Sequence, residues 1–199
     1  IFVTLNPVNK ALLGRANERV EEKAKQTTAD PEVTGRRWLP IDCDPVRPSG
    51  ISSTDAERDA ALAVLECLVS SLKEEGWPGP LTAMSGNGAY ALYRIDLPNT
   101  AESTALVDRV LKALAQRFSS EAVHIDTTVA NPSRLVGLVG TIKVKGDDLP
   151  DRPHRRSFLI DVPDELVVVP PHLLEAVAAI EPAQGHTEAT AFPKRNAGT

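Results

Sequence analysis

Alternating hydrophobic and polar residues along the chain predict several short β-strands. In segment 38–44, Leu39, Ile41 and Cys43 occupy every second position, and alternate side chains of a strand point to opposite faces. These three residues therefore suit the buried face of a sheet. The other predicted strands are 1–5, which is expected to be buried, 81–84, 89–95, 122–128, 138–144 and 158–162.

Hydrophobic residues at helical spacing, preceded by capping residues, predict the helices. Thr54 and Glu57 form a capping box, in which a hydroxyl and a carboxylate satisfy free amides of the first turn. An apolar stripe follows, and Gly76 ends this helix. Asn99 to Glu102 is a second capping-box variant before another apolar stripe. Two further helices are predicted at 9–26 and 172–180.

The order of these elements favours an α+β domain with a largely antiparallel sheet over a doubly wound sheet. Several strands join through tight turns rather than through long crossovers, which is typical of antiparallel pairing. Residues 1–180 are predicted to form one folded core, and residues 181–199 have the composition of a linker or tail. Because the chain opens on Ile1 and not on Met, we expect its N-terminal part to be missing.

Composition excludes several classes of protein. The 199 residues are 42% hydrophobic and 25% charged, which does not suit a disordered chain, a collagen-like repeat or a disulfide-stapled miniprotein. The apolar runs are too short to cross a bilayer, and no signal segment opens the chain. Two cysteines, Cys43 and Cys67, lie in no CxxC pair. These features predict a cytoplasmic protein without a membrane partner.

The net charge of −5 makes non-specific nucleic-acid binding unfavourable unless basic residues are concentrated. Between residues 134 and 156, six basic residues stand against three acidic ones. This local excess suits contact with phosphates, and a solvated basic loop is the alternative interpretation.

Acidic residues on strand faces are the first candidates for chemistry. Asp42 and Asp44 share the polar face of segment 38–44, and aspartate is unfavourable in strands. A divalent cation would compensate them, since hard oxygen ligands one strand-step apart chelate Mg²⁺ or Mn²⁺. His124 and Asp126 share a polar face in the same way. Three carboxylates are a common count in phosphoryl-transfer centres. The alternatives are solvated acids at strand ends and a surface histidine.

A glycine-rich turn and two lysines are candidates for holding phosphate. Ser85, Gly86, Asn87 and Gly88 lie between two strands, and the two glycines allow successive amides to point at an anion. The same residues also suit an ordinary Asn-Gly hairpin turn. Arg134, Lys143 and Lys145 follow, and the two lysines alternate onto one face, where they would stabilise a charged transition state.

Taken in order, these motifs resemble the archaeo-eukaryotic primase superfamily, and most of all the primase-polymerases of bacterial viruses and other mobile elements. The resemblance rests on Asp42-Cys-Asp44 within its Trp-Leu-Pro-Ile setting, Ser85-Gly-Asn-Gly88, Ile125-Asp126, Asn131-Pro-Ser-Arg134 and Gly140-Thr. It extends over about residues 2–160. It implies a primase-like core, in which an RNA-recognition-motif-like sheet stands beside a smaller α/β module.

The resemblance also implies an activity and its residues. Asp42, Asp44 and Asp126 map onto the acids that bind two divalent metals, Mg²⁺ or Mn²⁺. The Ser85–Gly88 turn and Tyr90 map onto the motif that contacts the nucleotide phosphates. In a nucleotidyltransferase, Lys143 and Arg134 would hold the nucleotide with them. The implied activity is that of a DNA primase and polymerase, with template DNA, primer and nucleoside triphosphates as partners. The resemblance leaves open whether a helicase of the same replication system is also a partner. Tyr90 departs from the pattern, because the family usually has histidine there, and a phenol carries no positive charge.

Other functions fit the sequence less well. A catalytically weak or inactive nucleic-acid-binding module on the same fold is the main alternative, although such sheets usually stack bases on aromatics, and only eight are present. A nicking initiator needs a His-hydrophobic-His motif, which the sequence lacks. A nucleotide cyclase also uses paired acids on an antiparallel sheet. Template-dependent products would distinguish a polymerase from a cyclase.

Overall fold

In the computed structural model, which describes residues 1–16 and 19–180, five antiparallel strands form a central sheet in the order β5-β2-β4-β3-β9. Strands β1 and β6 form a separate two-stranded sheet, and β7 and β8 form another. The strands are β1 Phe2–Thr4, β2 Arg36–Pro45, β3 Leu81–Met84, β4 Ala89–Leu97, β5 Val123–Ile125, β6 Leu135–Gly137, β7 Ile142–Lys143, β8 Arg155–Arg156 and β9 Phe158–Asp161. The α-helices are α1 Leu13–Ala16, α2 Asp55–Glu74, α3 Ala101–Phe118 and α4 Pro171–Ala178.

One face of the central sheet carries the hydrophobic core. Leu39, Ile41 and Cys43 of β2 are fully buried there, as their alternation predicted. Leu68 of α2 and Leu111 of α3 belong to the same cluster, and burial of such side chains is the main source of folding free energy. The chain is therefore a mixed α+β protein with a five-stranded antiparallel sheet and flanking helices, as predicted. The opposite face carries Asp42 and Tyr90, together with Pro40 and Leu92.

The helix ends follow the sequence closely. Thr54 Oγ1 accepts the amide of Glu57, and the Glu57 carboxylate accepts the amide of Thr54, so the predicted capping box is confirmed. At α3 the cap is Thr100, and not Asn99 as predicted. The Asn99 side chain instead donates to the carbonyl oxygens of Asp30 and Val33, at 2.8 and 2.9 Å.

The predicted helix at 9–26 is wrong. A single 3₁₀ turn, Lys10–Leu12, leads into α1, which ends at Ala16, and residues 19–26 are not helical. No residue of the 3₁₀ turn is buried. Helical propensity alone does not sustain a helix that has no apolar face to pack.

Three predicted strands also differ from the structure. Strand β1 is exposed and not buried, because within the described residues it pairs with β6 alone. The strand predicted at 138–144 is interrupted at Gly140, whose φ of +90° belongs to a turn. The strand predicted at 122–128 ends at Ile125, because Asp126 caps a 3₁₀ turn, Thr127–Ala130. The predicted tail at 181–199 lies outside the described residues. None of the helices within the described ranges has the length and apolar character needed to traverse a bilayer.

Candidate functional site

The open face of the central sheet brings the predicted acids onto neighbouring strands. Asp42 lies opposite Tyr90 of β4, and Asp44 lies opposite His124 of β5. The Asp126 amide donates to the Asp42 carbonyl oxygen at 2.9 Å. Because directly paired residues of antiparallel strands point to the same side of the sheet, all of these side chains share the face that the core leaves open.

The Asp126 carboxylate is already engaged by neighbouring residues. Its Oδ1 accepts the amide and the hydroxyl of Thr128, at 2.8 and 2.7 Å. Its Oδ2 accepts from the Arg134 guanidinium at 3.3 Å. Within the described residues, no group of three or more histidine, cysteine, aspartate or glutamate side chains is arranged to hold a metal ion. The three-carboxylate metal site expected from the sequence is therefore not preassembled.

Negative charge is concentrated at Asp42. Burial, followed by the charges of Asp44 and Asp126, raises the pKa of Asp42 to about 7, against the opposing effect of Lys143 and Arg134. A carboxylate is held protonated to such a pH when its surroundings do not compensate its charge. The donor set of Asp42 and Asp44 therefore fits a hard divalent cation, which would supply the missing positive charge.

Two residues near the acids have other roles. Cys43 points into the core, and burial, assisted by the neighbouring aspartates, raises the pKa of its thiol to about 12. A neutral thiol of this kind is a packing group and not a nucleophile, as the sequence indicated. His124 is exposed on the face of Asp44, which agrees with its predicted position.

A cavity of about 200 Å³ joins most of the predicted site residues. Its lining includes both carboxylates and cationic groups, a combination that suits a metal-bound triphosphate. Asp126 does not line it but is connected to it through Arg134. The predicted residues that do line it are Asp42, Asp44, Ser85, Asn87, Tyr90, Arg134, Lys143 and Lys145.

The turn between β3 and β4 contributes side chains to this cavity. The amides of Asn87 and Gly88 donate to Ser85 Oγ at 3.5 and 3.0 Å, and the Gly86 amide points at Met84 Sδ. The amide nest expected from the sequence is therefore occupied within the turn. What the turn presents to the cavity is the side chains of Ser85 and Asn87.

Both glycines of the turn are required by close contacts. A Cβ at Gly88 would collide with the carbonyl oxygen of Cys43 in β2, beside Asp44. Gly86 has a φ of +103°, and a Cβ there would lie 2.5 Å from the Cβ of Lys143. The glycines thus allow the turn to approach the acids on one side and Lys143 on the other.

Asn87 is a buried polar residue whose hydrogen bonding is incomplete. Its side chain is 2% exposed, and its Oδ1 accepts the Ser53 amide at 2.9 Å. In the described part of the chain its Nδ2 has no partner. Because an unpaired buried donor is unfavourable, a ligand oxygen in the adjoining cavity would be stabilised there.

Two arginines, which the sequence showed only as part of a basic segment, hold the β7–β8 hairpin in place. Arg152 donates to both carboxylate oxygens of Glu57, at 2.9 and 3.0 Å. Arg155 donates to the Ser53 carbonyl at 2.7 Å. The two arginines therefore hold this hairpin, to which Lys143 belongs, against the start of α2. No sequence motif marks this connection, because the partners are about a hundred residues apart.

Comparison with known proteins gives structural likeness without sequence-level matches. No protein-family model matches the sequence, and no curated protein matches it. Among solved structures, the chain is similar to the AEP domain of the cyanophage S-2L primase-polymerase, with a TM-score of 0.48 and 18% sequence identity. The match covers 75% of this chain and 64% of that one, which is less than two thirds of its length.

Proposed function

We propose that this chain is a template-dependent nucleotidyltransferase, a DNA primase and polymerase that acts in the replication of a mobile element or virus. The observation that carries the proposal is the cavity where Asp42 and Asp44 face Lys143 and Arg134. A site of this kind offers acids for a divalent metal and cations for phosphates within one small volume.

The acids would hold the metals in this reaction. Asp42 and Asp44 would be the direct ligands, and Asp126 would be a third ligand once its carboxylate is released from Arg134. Mg²⁺ or Mn²⁺ held by these residues would supply Lewis-acid chemistry for the primer 3′-hydroxyl and the leaving pyrophosphate. Asp42 must lose its proton before it can act as a ligand, because only the carboxylate binds a metal.

The other cavity residues would hold the incoming nucleotide. Lys143 and Arg134 offset the charge of the triphosphate, and Ser85 donates a hydroxyl to it. The unpaired Asn87 Nδ2 is a further donor to the same group. Tyr90 lines the cavity beside Asp42 and supplies a neutral hydroxyl. Gly86 and Gly88 act by permitting the close approach of these groups.

Primer extension tests the proposal directly. A labelled primer on a single-stranded template is incubated with nucleoside triphosphates and either Mg²⁺ or Mn²⁺, and the products are sized. We expect template-dependent extension by the wild-type chain and its loss in Asp44→Asn. Asp108→Asn is the matched control, since Asp108 lies on α3 and pairs only with Lys112 among the described residues. Extension by Asp44→Asn at the wild-type rate would overturn the proposal.

A catalytically weak binding module on the same fold is the second candidate. It is favoured by the engaged carboxylate of Asp126 and by the neutral Tyr90. The same assay separates the two functions when it is paired with a binding measurement. Nucleotide and DNA binding with no extension under either metal would support the module, and a cyclic nucleotide product would identify a cyclase instead.

A further inference from the structure

Phe2 is an exposed aromatic residue at the mouth of the site. Its side chain is 62% exposed, although β1 holds its backbone against Gly137 of β6. The Lys143 ammonium lies 5.4 Å from the centre of its ring. The ring lines both the cavity that contains the acids and a second, larger cavity of about 840 Å³. An exposed aromatic with a cation beside it is a surface on which a planar group can stack.

The second cavity combines apolar and basic walls. Among its charged residues, Arg15 pairs with Glu32, and Arg19 pairs with Glu21. Lys10 also lines it and has no ion pair within the described residues. Lys23 also lines the cavity, so two ammonium groups of its described walls have no ion-pair partner among the described residues. Exposed apolar side chains, including Val20, complete its walls.

We propose that this second cavity binds single-stranded DNA, with one base stacked on Phe2 and its phosphates near Lys10 and Lys23. The inference rests on the proposed function, because the strand bound there is the template. Single-stranded nucleic acids bind where aromatic rings alternate with basic groups. A duplex offers no free base face, so stacking on Phe2 selects single strands.

Continuity between the cavities explains why the strand would run here. Phe2 and Leu135 line both of them, so a base on Phe2 lies at the entrance of the cavity that holds Asp42 and Asp44. Lys143 contacts the same ring and faces the proposed nucleotide. The template base would thereby be held next to the position where the incoming nucleotide pairs with it.

The test is the binding of a fluorescein-labelled 15-residue thymidine oligonucleotide, followed by anisotropy. Binding is measured in EDTA without nucleoside triphosphate, so it depends on neither metal nor extension. We expect Phe2→Ala to weaken binding by about 5- to 150-fold, the range given by loss of one base–aromatic stack. Phe2→Tyr should retain wild-type affinity. Phe158→Ala is the matched control, since Phe158 is 51% exposed on β9, away from both cavities.

A second pair of variants tests the charges independently of the ring. Lys10→Gln combined with Lys23→Gln should weaken binding and reduce the salt dependence by about two phosphate contacts. Wild-type affinity in Phe2→Ala, an equal loss in Phe158→Ala, or equal affinity for a duplex would overturn the inference. So would the absence of oligonucleotide binding by the wild-type chain. A chain that binds through Phe2 but extends no primer would contradict the proposed function and leave this inference standing.

Discussion

Tyr90 lies directly opposite Asp42 where β4 pairs with β2. On its other side, the Asp42 carbonyl oxygen accepts the amide of Asp126, which directly follows β5. Burial, followed by the charge of Asp42, raises the pKa of Tyr90 above its ordinary value, so the phenol stays protonated at neutral pH. Asp42 thus lies opposite a neutral hydroxyl donor. The primase resemblance implies a histidine at the position of Tyr90.

Replacing this tyrosine by histidine should strengthen nucleotide binding. A hydrogen bond from a charged donor contributes ~1.5–3 kcal/mol against ~1 for a neutral donor, so Tyr90→His gains about 1 kcal/mol, or roughly fivefold in affinity. Binding of a nucleoside triphosphate with Mn²⁺ can be followed by titration calorimetry, and extension rates should rise with it. Tyr90→Phe, which removes the hydroxyl, should bind more weakly than wild type. Unchanged or weaker binding by a folded Tyr90→His would show that the family's motif does not carry over to this position.

The stability of the protein should fall as pH rises through the range of Asp42. The pKa of Asp42 is about 7 in the folded chain and 3.8 in the unfolded chain, so the folded state binds the proton more tightly between these values. The free energy of unfolding therefore decreases from about pH 4 to pH 7, by on the order of 3 kcal/mol. Urea unfolding in EDTA at pH 5 and pH 8 measures this difference. Asp42→Asn should flatten it, whereas Asp108→Asn should not.

Divalent cations should reverse that loss. Because metal and proton compete for the carboxylate of Asp42, Mn²⁺ should raise the melting temperature more at pH 8 than at pH 5.5. At a concentration one hundred times the dissociation constant, the increase at pH 8 should be about 5–10 °C. Removal of the metal with EDTA should restore the original value. An equal increase in Asp44→Asn would mean that the cation binds elsewhere.

Gly88 should not tolerate a side chain. Its Cβ would meet the Cys43 carbonyl of β2, which is backbone and has little freedom to move. We expect Gly88→Ala to destabilise the fold by about 1–3 kcal/mol and to weaken nucleotide binding, because the turn must retreat from Asp44. Gly79→Ala is the control, since its Cβ would meet only Pro163 at 3.7 Å. Denaturant titration of both variants gives the comparison, and equal stabilities would contradict the packing described for the turn.

Local patterns in the sequence were sufficient for the elements that bury the core. Apolar residues at every second position around Ile41 correctly predicted the buried face of β2 and the opposite face, on which Asp42 lies. The prediction succeeds because the two-residue period of a strand matches the burial of these side chains. The capping box at Thr54 correctly predicted the start of α2, because its hydrogen bonds join residues only three positions apart.

Long-range contacts could not be read from the sequence in this way. The pairing of Arg152 with Glu57 and that of Arg155 with Ser53 depend on how distant segments meet. The exposed position of Phe2 likewise depends on its pairing with β6, and apolar composition alone predicted a buried strand. The helix predicted at 9–26 does not form for a related reason, since the 3₁₀ turn at its start has no buried residue and Leu13 and Val20 are exposed.

The alternation of apolar and polar residues in β2 also links the proposed metal site to the correct register of the sheet. A slip of one residue against β4 would turn Ile41 and Cys43 outward and drive Asp42 and Asp44 into the helix layer. Uncompensated carboxylates are far less tolerable there than on the open face. The two acids that are proposed to bind metal therefore also disfavour the shifted register of β2 against β4 during folding, before any ligand has bound.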